Sequence, residues 1–446
     1  MPDTSTLQPA AFNCEGGLVL NRSTFLMQPG EALVLENFEP DVEGGYRRIN
    51  GFRKFVNQIV PQTSSSTEKV LMTARFANRV VAARGERIYS AGSTELSQKI
   101  LSTTAMSGSG TLNVDSTAGF ASSGTLLINS EEFTYTGVTS TTFTGVTRST
   151  SSTTAANHAI DDAVSENWTQ RDTGRTSADK YDFERFNFDG NDKFICVDGA
   201  NAPVVFNSSM AATDVSESTV AGSKFVAAFR NHMFYAGKSS TPSTLVFSEP
   251  FDEDGFNSGD GAGSINVDDT IVGLKVFRDN LFIFCENRIF KLTGSALANF
   301  AVEPVTRNIG CVNGNTIQEF AGDLIFLGPD GLRTVAGTAR IGDVELGTIS
   351  KNVQSLFDEN ITDSSLFESV VIPDKTQYRI FFTKDTVSQK RTKGVICVMK
   401  GDGFEFAESL GIKPSCSDTH VEAGNVIVLH GTFDGFVQRQ EKGNSF

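Results

Sequence analysis

The chain has 446 residues, a formal net charge of −15 and a pI near 4.8. That length holds two or three domains, or one large β domain with an insertion. The basic stripe usual in a protein that grips phosphates does not appear, and no apolar run approaches the roughly 20 residues that span a membrane. An acidic surface suits solubility, and it equally suits a conduit that DNA crosses without sticking, since like charges repel the phosphate backbone. Phe is the dominant aromatic at 36 residues against one Trp, and Gly is abundant at 41. Strands and turns are favoured over helices by that balance.

Residues 1–60 read as an extended arm, with turns at Asn13-Cys14-Glu15-Gly16-Gly17 and Gln28-Pro29-Gly30-Glu31. Its short apolar stretches, such as Ala32-Leu33-Val34-Leu35, cannot bury both faces locally. The arm is expected to lie on the main body or on a neighbouring subunit. The start, Met1-Pro2-Asp3-Thr4, carries neither the basic stretch nor the apolar core of a signal peptide. Synthesis in a reducing cytoplasm with free thiols is the expectation.

A repeat then begins. Each copy has a small or polar lead, a turn of Arg/Asn or Gly/Asp type, an apolar strand, a second turn and another strand. One copy is Ala74–Ala83 followed by Arg87–Tyr89; others are Ala228–Ala236 with Leu245–Phe247, Val276–Phe284 with Arg288–Phe290, and Glu319–Leu327 with Gly331–Arg333. Weaker copies start near Phe188-Asp189-Gly190-Asn191 and Ala423-Gly424-Asn425, and a divergent one surrounds Tyr378–Phe382. Residues 99–170 interrupt the series. They are rich in Ser, Thr and Gly, and their apolar residues alternate at Thr111–Val114, Thr125–Ile128 and Phe133–Tyr135, which predicts a small antiparallel unit. One helix is predicted, Lys351–Phe357, with Ser350 as its N-cap and Val353, Leu356 and Phe357 on one face. The basic cluster Gln389-Lys390-Arg391-Thr392-Lys393 reads as a hairpin tip.

Copies recur every ~45 residues over much of the chain, the spacing of propeller blades. A four-stranded sheet cannot bury both apolar faces alone, whereas radial packing on its neighbours does so and leaves only short edges. The expected fold is mainly β: a β-propeller-like body (61–98 and 171–446) with platform elements, an N-terminal arm and platform (1–60), and a small inserted β domain (99–170). A β-sandwich pair is the rival, and it predicts shorter, more uniform strand spacing without a repeated turn.

Little in the chain points to chemistry. The six cysteines, at 14, 196, 285, 311, 397 and 416, form no CxxC pair, so a zinc ribbon is not expected. The histidines, His158, His232, His420 and His430, form no ligand pair at helical spacing, and His232 is placed in a repeat turn. The acidic loop Phe251–Gly255, continuing to Asp260 and Asp268-Asp269, is the best calcium candidate, but it lacks the ligand alternation of an EF-hand and reads as a solvated loop. Asp189-Gly190-Asn191-Asp192 is a weaker one. No phosphate-cradling loop occurs, and Gly259–Gly263 lacks a βαβ context. Glycosidase propellers need paired carboxylates, and with the single Trp168 the aspartate-box signature of sialidases is missing. No catalytic, cofactor-binding or metal-binding residue is assigned, and no cofactor.

The segments Phe12–Leu18, Phe25–Ala32 and Leu35–Phe38, followed by Gly45–Phe52, resemble the amino-terminal region of the tail nozzle proteins of short-tailed bacteriophages, also called packaged-DNA stabilisation or tail tubular proteins. Asn308–Val312 and Gly322–Leu332 resemble the central segment of the same family. Gly124–Ile128, Glu131–Gly137 and Phe143–Arg148, continuing through Thr153–His158, are similar to small β units of phage tail proteins. The resemblance implies a non-enzymatic structural virion protein, assembled in the host cytoplasm into a hexameric ring below the portal and adaptor. Its partners would be copies of itself, adaptor and portal-connector proteins, and tail needle, fibre or spike proteins. Double-stranded DNA would pass through the ring without sequence-specific binding. The alternative is a tail-associated carbohydrate-binding or depolymerising β-propeller, motivated by the Thr/Tyr-rich surface of the insertion.

Overall fold

The computed structural model describes residues 15–41, 44–55, 58–61, 68–92, 98–99, 110–118, 120, 122–150, 153–176, 180–336, 348–384, 392–401, 403–422 and 424–443. Among them the strands form six four-stranded sheets and one three-stranded sheet in series, besides a two-stranded ribbon and one larger separate sheet.

Blade 1 is Val70–Phe76, Arg79–Arg84, Arg87–Ala91 and Thr169–Asp172, and blade 2 is Asp182–Phe186, Lys193–Val197, Val204–Asn207 and Ala212–Asp214. Blade 3 is Phe225–Phe229, His232–Ala236, Thr244–Phe247 and Gly263–Asn266, and blade 4 is Ile271–Phe277, Asn280–Cys285, Ile289–Thr293 and Ala301–Thr306. Blade 5 has three strands, Gln318–Phe320, Asp323–Gly328 and Gly331–Thr334. Blade 6 is Glu368–Ile372, Gln377–Phe381, Lys393–Lys400 and Gly403–Leu410. Blade 7 joins Cys416–Glu422, Asn425–Gly431 and Val437–Gln440 to a strand from the other end of the chain, Phe52–Lys54. Within every blade the pairing is antiparallel, each strand beside its successor.

The repeated turn has a local cause. In four blades the first hairpin is closed by two residues of positive φ: Ala77-Asn78, Arg230-Asn231, Arg278-Asp279 and Ala321-Gly322. Two left-handed residues in succession make a type I′ turn, whose twist matches that of the flanking strands. Asn, Asp and Gly at the second position tolerate this conformation, while Arg or Ala at the first adopts it at some cost. A Phe pairs across each turn, at 76, 229, 277 and 320.

Seams between blades carry the core. Tyr89 and Val70 pack with Cys416 and Leu429 between blades 1 and 7, and Met72 and Ile88 with Phe194 and Phe206 between blades 1 and 2. Ile195 and Val205 meet Met233 and Tyr235, Phe234 and Phe247 meet Leu281 and Ile283, and Phe284 and Ile289 meet Leu324 and Phe326. One larger cluster joins Phe320 and Leu327 of blade 5, Tyr378 and Ile380 of blade 6, and Val428 of blade 7. The first strands of neighbouring blades also touch: Asp182–Phe186 lies by Phe225–Phe229, and Cys416–Glu422 by Val70–Phe76. The seven sheets thus close into a β-propeller, with each first strand innermost.

The arm lies on this body. Leu18 and Leu35 are buried in the blade 5–7 cluster. Leu18 N donates to Phe406 O at 2.6 Å, and Glu408 N to Leu35 O at 2.9 Å, so the arm crosses the outer strand of blade 6. Asn37 bonds Leu410 twice, its amide nitrogen donating to the carbonyl at 3.0 Å and its oxygen accepting from the amide at 2.8 Å. The ribbon Phe38–Pro40 with Tyr46–Arg48 follows. Its Glu39 is fully buried and takes Arg47 at 2.6 Å, Lys375 at 2.7 Å and Arg379 at 3.3 Å. Phe12, Asn13 and Cys14 of the expected arm lie outside the described residues, as do Gln389, Lys390 and Arg391 of the expected hairpin tip.

In the chain, the separate sheet is inserted between the third and fourth strands of blade 1, which pair directly with each other. It contains Gly110–Asn113, Gly124–Ile128, Glu131–Tyr135, Gly137–Val138, Thr142–Arg148 and Ala163–Glu166, and Gln98–Lys99 pairs on its edge. Leu126, Phe133, Tyr135, Phe143 and Val164 form its own core.

Two expectations need correction. The predicted helix is split into a 3-10 turn, Lys351–Val353, and a short α-helix, Gln354–Asp358. Ser350 does not cap it: its hydroxyl accepts from Leu332 N at 3.1 Å, because Ile349 runs along blade 5 and binds Leu332 O. His232 is not in the turn but opens the second strand of blade 3, buried among Phe234, Phe247 and Phe300, with Nδ1 2.6 Å from Ser248 O.

Candidate functional site

Alternation along a strand sends every second side chain to one face, and in the innermost strands the starts of that row meet at the axis. A cavity of about 860 Å³ opens there, lined from blades 2 to 7. Its charges are partly paired across the axis. Lys180, just before blade 2, forms an ion pair with Glu368 of blade 6, and Ser417 Oγ donates to the other Glu368 oxygen at 2.9 Å. Arg185 of blade 2 pairs with Asp418 of blade 7 at 2.5 Å and donates to Arg75 O of blade 1 at 2.6 Å. Asp418 also accepts from Arg75 N at 3.1 Å. These groups tie blade 2 to blades 1, 6 and 7, so charged side chains cross the middle of the ring.

Burial pushes the Asp182 carboxyl up to about 6, against amide bonds from Val226 and Phe183 and the charges of Lys275 and Lys180. Burial raises Glu184 and Glu368 as well, opposed by Lys275 and Lys180 respectively. None of these positions carries a local sequence signal. Lys180 and Glu368 are far apart in the chain and meet only because the ring closes.

A second feature lies on the arm. Its anchors, Leu18, Val19 and Leu35, are buried, yet Phe25 is 96 % exposed, Leu26 67 % and Val34 75 %. Phe25 and Leu26 sit in a 3-10 turn, Thr24–Leu26, with no buried residue.

The remaining candidates are otherwise occupied. In the acidic loop, Glu253 pairs with Lys193 at 2.8 Å, Asp254 accepts from Ser216 N, and Asp269 accepts from Asn287. No group of three His, Cys, Asp or Glu placed to hold a metal occurs among the described residues. Asp189 accepts from Asn191 N within its own turn. His158 lies in the insertion, with Nε2 2.9 Å from the buried Glu131. Burial pushes His430 down to about 3, and burial and Arg185 lower His420. The five described cysteines are buried and unpaired, and burial raises each thiol.

No family model matches the chain, and no curated protein matches it. Among solved structures, it overlaps Hsv2p of Kluyveromyces lactis at 8% identity and a TM-score of 0.32, covering 77% of this chain and 98% of that one. A quinonprotein alcohol dehydrogenase-like protein of Bacteroides thetaiotaomicron overlaps at 9% identity and 0.33, over 74% of this chain and 81% of that one. Raptor of Chaetomium thermophilum overlaps at 9% and 0.36, over 89% and 29%. Overlaps this loose add nothing to the sheet order and seam packing, on which the fold rests.

Proposed function

We propose that this chain is a non-enzymatic subunit of a phage tail nozzle, a ring of identical copies that prolongs the DNA exit channel below the adaptor. The observation that carries the reading is the anchored arm with its solvent-facing apolar side chains. A large aromatic held in water on a segment pinned at both ends is unfavourable, and clustered surfaces of that kind mark protein contacts. Phe25, Leu26 and Val34 would be covered by a neighbouring copy. The sequence resemblance to nozzle proteins falls on this same arm.

Two further features support it. Ion pairs cross the propeller axis, so a DNA path would run between subunits rather than through one. The net charge of −15 would then keep the passing phosphates from adhering. Head-to-tail contacts between copies close into a ring when their rotation closes.

Negative-stain imaging of the purified chain, with mass spectrometry of purified virions, tests this. Rings and presence in the tail are expected, and a Phe25→Ser, Leu26→Ser variant should remain monomeric with an unchanged melting temperature. A chain that stays monomeric and is missing from virions would end the proposal.

A further inference from the structure

The central cavity has polar groups left over once its cross-axis ion pairs are made. Asp182 and Glu184 of blade 2 line it, as do Lys224, just before blade 3, and Lys275 of blade 4. Among the described residues none of these four is in an ion pair, although Lys275 is close enough for its charge to act on both carboxylates. Asp182 accepts from Val226 N at 3.0 Å, and Glu184 from Arg185 N at 3.0 Å, so each carboxylate is fixed by backbone. Phe183 and Phe225 also line the cavity, their side chains packed on the cores of the blade 1–2 and blade 3–4 seams.

Two anionic and two cationic groups balance, which tells against a simple ion as the occupant: an anion drawn by the lysines would meet both carboxylates, and a cation the reverse. A hydroxyl uses both signs at once, donating to a carboxylate and accepting from an ammonium. A ligand rich in hydroxyls satisfies both pairs of charged groups at once. About 860 Å³ lies within the roughly 300–1,000 Å³ of small-molecule sites. We infer that the propeller's central cavity binds a short neutral oligosaccharide. The inference stands on the cavity and not on the assembly reading, and it differs from a sugar site on the inserted sheet.

The fluorescently labelled full-length chain, applied to a broad glycan array and followed by calorimetry with the best saccharide, is the test. Binding to at least one neutral oligosaccharide is expected. Glu184→Gln and Lys275→Met should each weaken it by about tenfold or more, the loss of one hydrogen bond to a charged group, with unchanged melting temperatures. Silence across the array overturns the inference. So does binding that survives both substitutions, which would put the sugar elsewhere, or preference for a free amino acid such as glutamate over every saccharide, which would mark a zwitterion site.

Discussion

Asp182 and Glu131 show how one residue type behaves in two settings. Burial raises Asp182 to about 6, so the folded state binds more protons than the unfolded chain between the ordinary carboxylate range and pH 6. Stability therefore falls as pH rises through that window. Asp182→Asn should remove that slope, read as the difference in melting temperature between pH 4 and pH 7. Glu131 is the opposite case. Burial alone would raise it, but Arg148 at 2.7 Å, Ala156 N at 2.8 Å and His158 at 2.9 Å outweigh burial and hold it down to about 2. Its contribution is present above the ordinary carboxylate range and is lost as pH falls toward 2. Glu131→Gln leaves Arg148 without its buried partner, and a loss of about 3–5 kcal/mol is expected for the inserted sheet, read by thermal unfolding and by amide exchange at Phe133 and Val164.

At the level of elements, the short hairpins were the legible part. Arg-Asn, Arg-Asp and Ala-Gly after a Phe carry their own turn chemistry, and all seven repeat copies, weak ones included, fall in successive blades. What the local pattern did not hold was anything decided at a distance. His232 reads as a turn residue until Phe300, from the end of another blade, covers it. Ser350 reads as a cap until Leu332 takes its hydroxyl. The cavity lining was unreadable for the same reason, since six blades contribute to it. The arm is held by comparable distant bonds. Asn37→Ala removes both side-chain bonds to Leu410, and a cost of about 1–3 kcal/mol is expected. Limited proteolysis should then cut the arm faster while the blades stay resistant. Gly310 is another such point: a Cβ there would lie 2.2 Å from Glu286 O, where blades 4 and 5 join. Gly310→Ala should lower the melting temperature although the residue makes no side-chain contact.

For the whole molecule, stability depends on seams shared between neighbours, because no blade covers both of its own faces. Phe234→Ala at the blade 3–4 seam should cost about 3–5 kcal/mol and lower the single unfolding transition instead of releasing one blade, which calorimetry distinguishes. Closure comes from Phe52–Lys54, paired to Val437–Gln440 as Phe52 with Gln440 and Lys54 with Gln438.

That pairing joins a strand made early to one made much later, Phe52 to Gln440. At elongation rates of about 5–20 residues per second, the early strand waits roughly 20–80 s for its mate to leave the ribosome. Through that interval the nascent circle stays open, with the greasy edge of its first blade uncovered. A chaperone hold, or a slow final latch, is the step at which newly made chains would be won or lost.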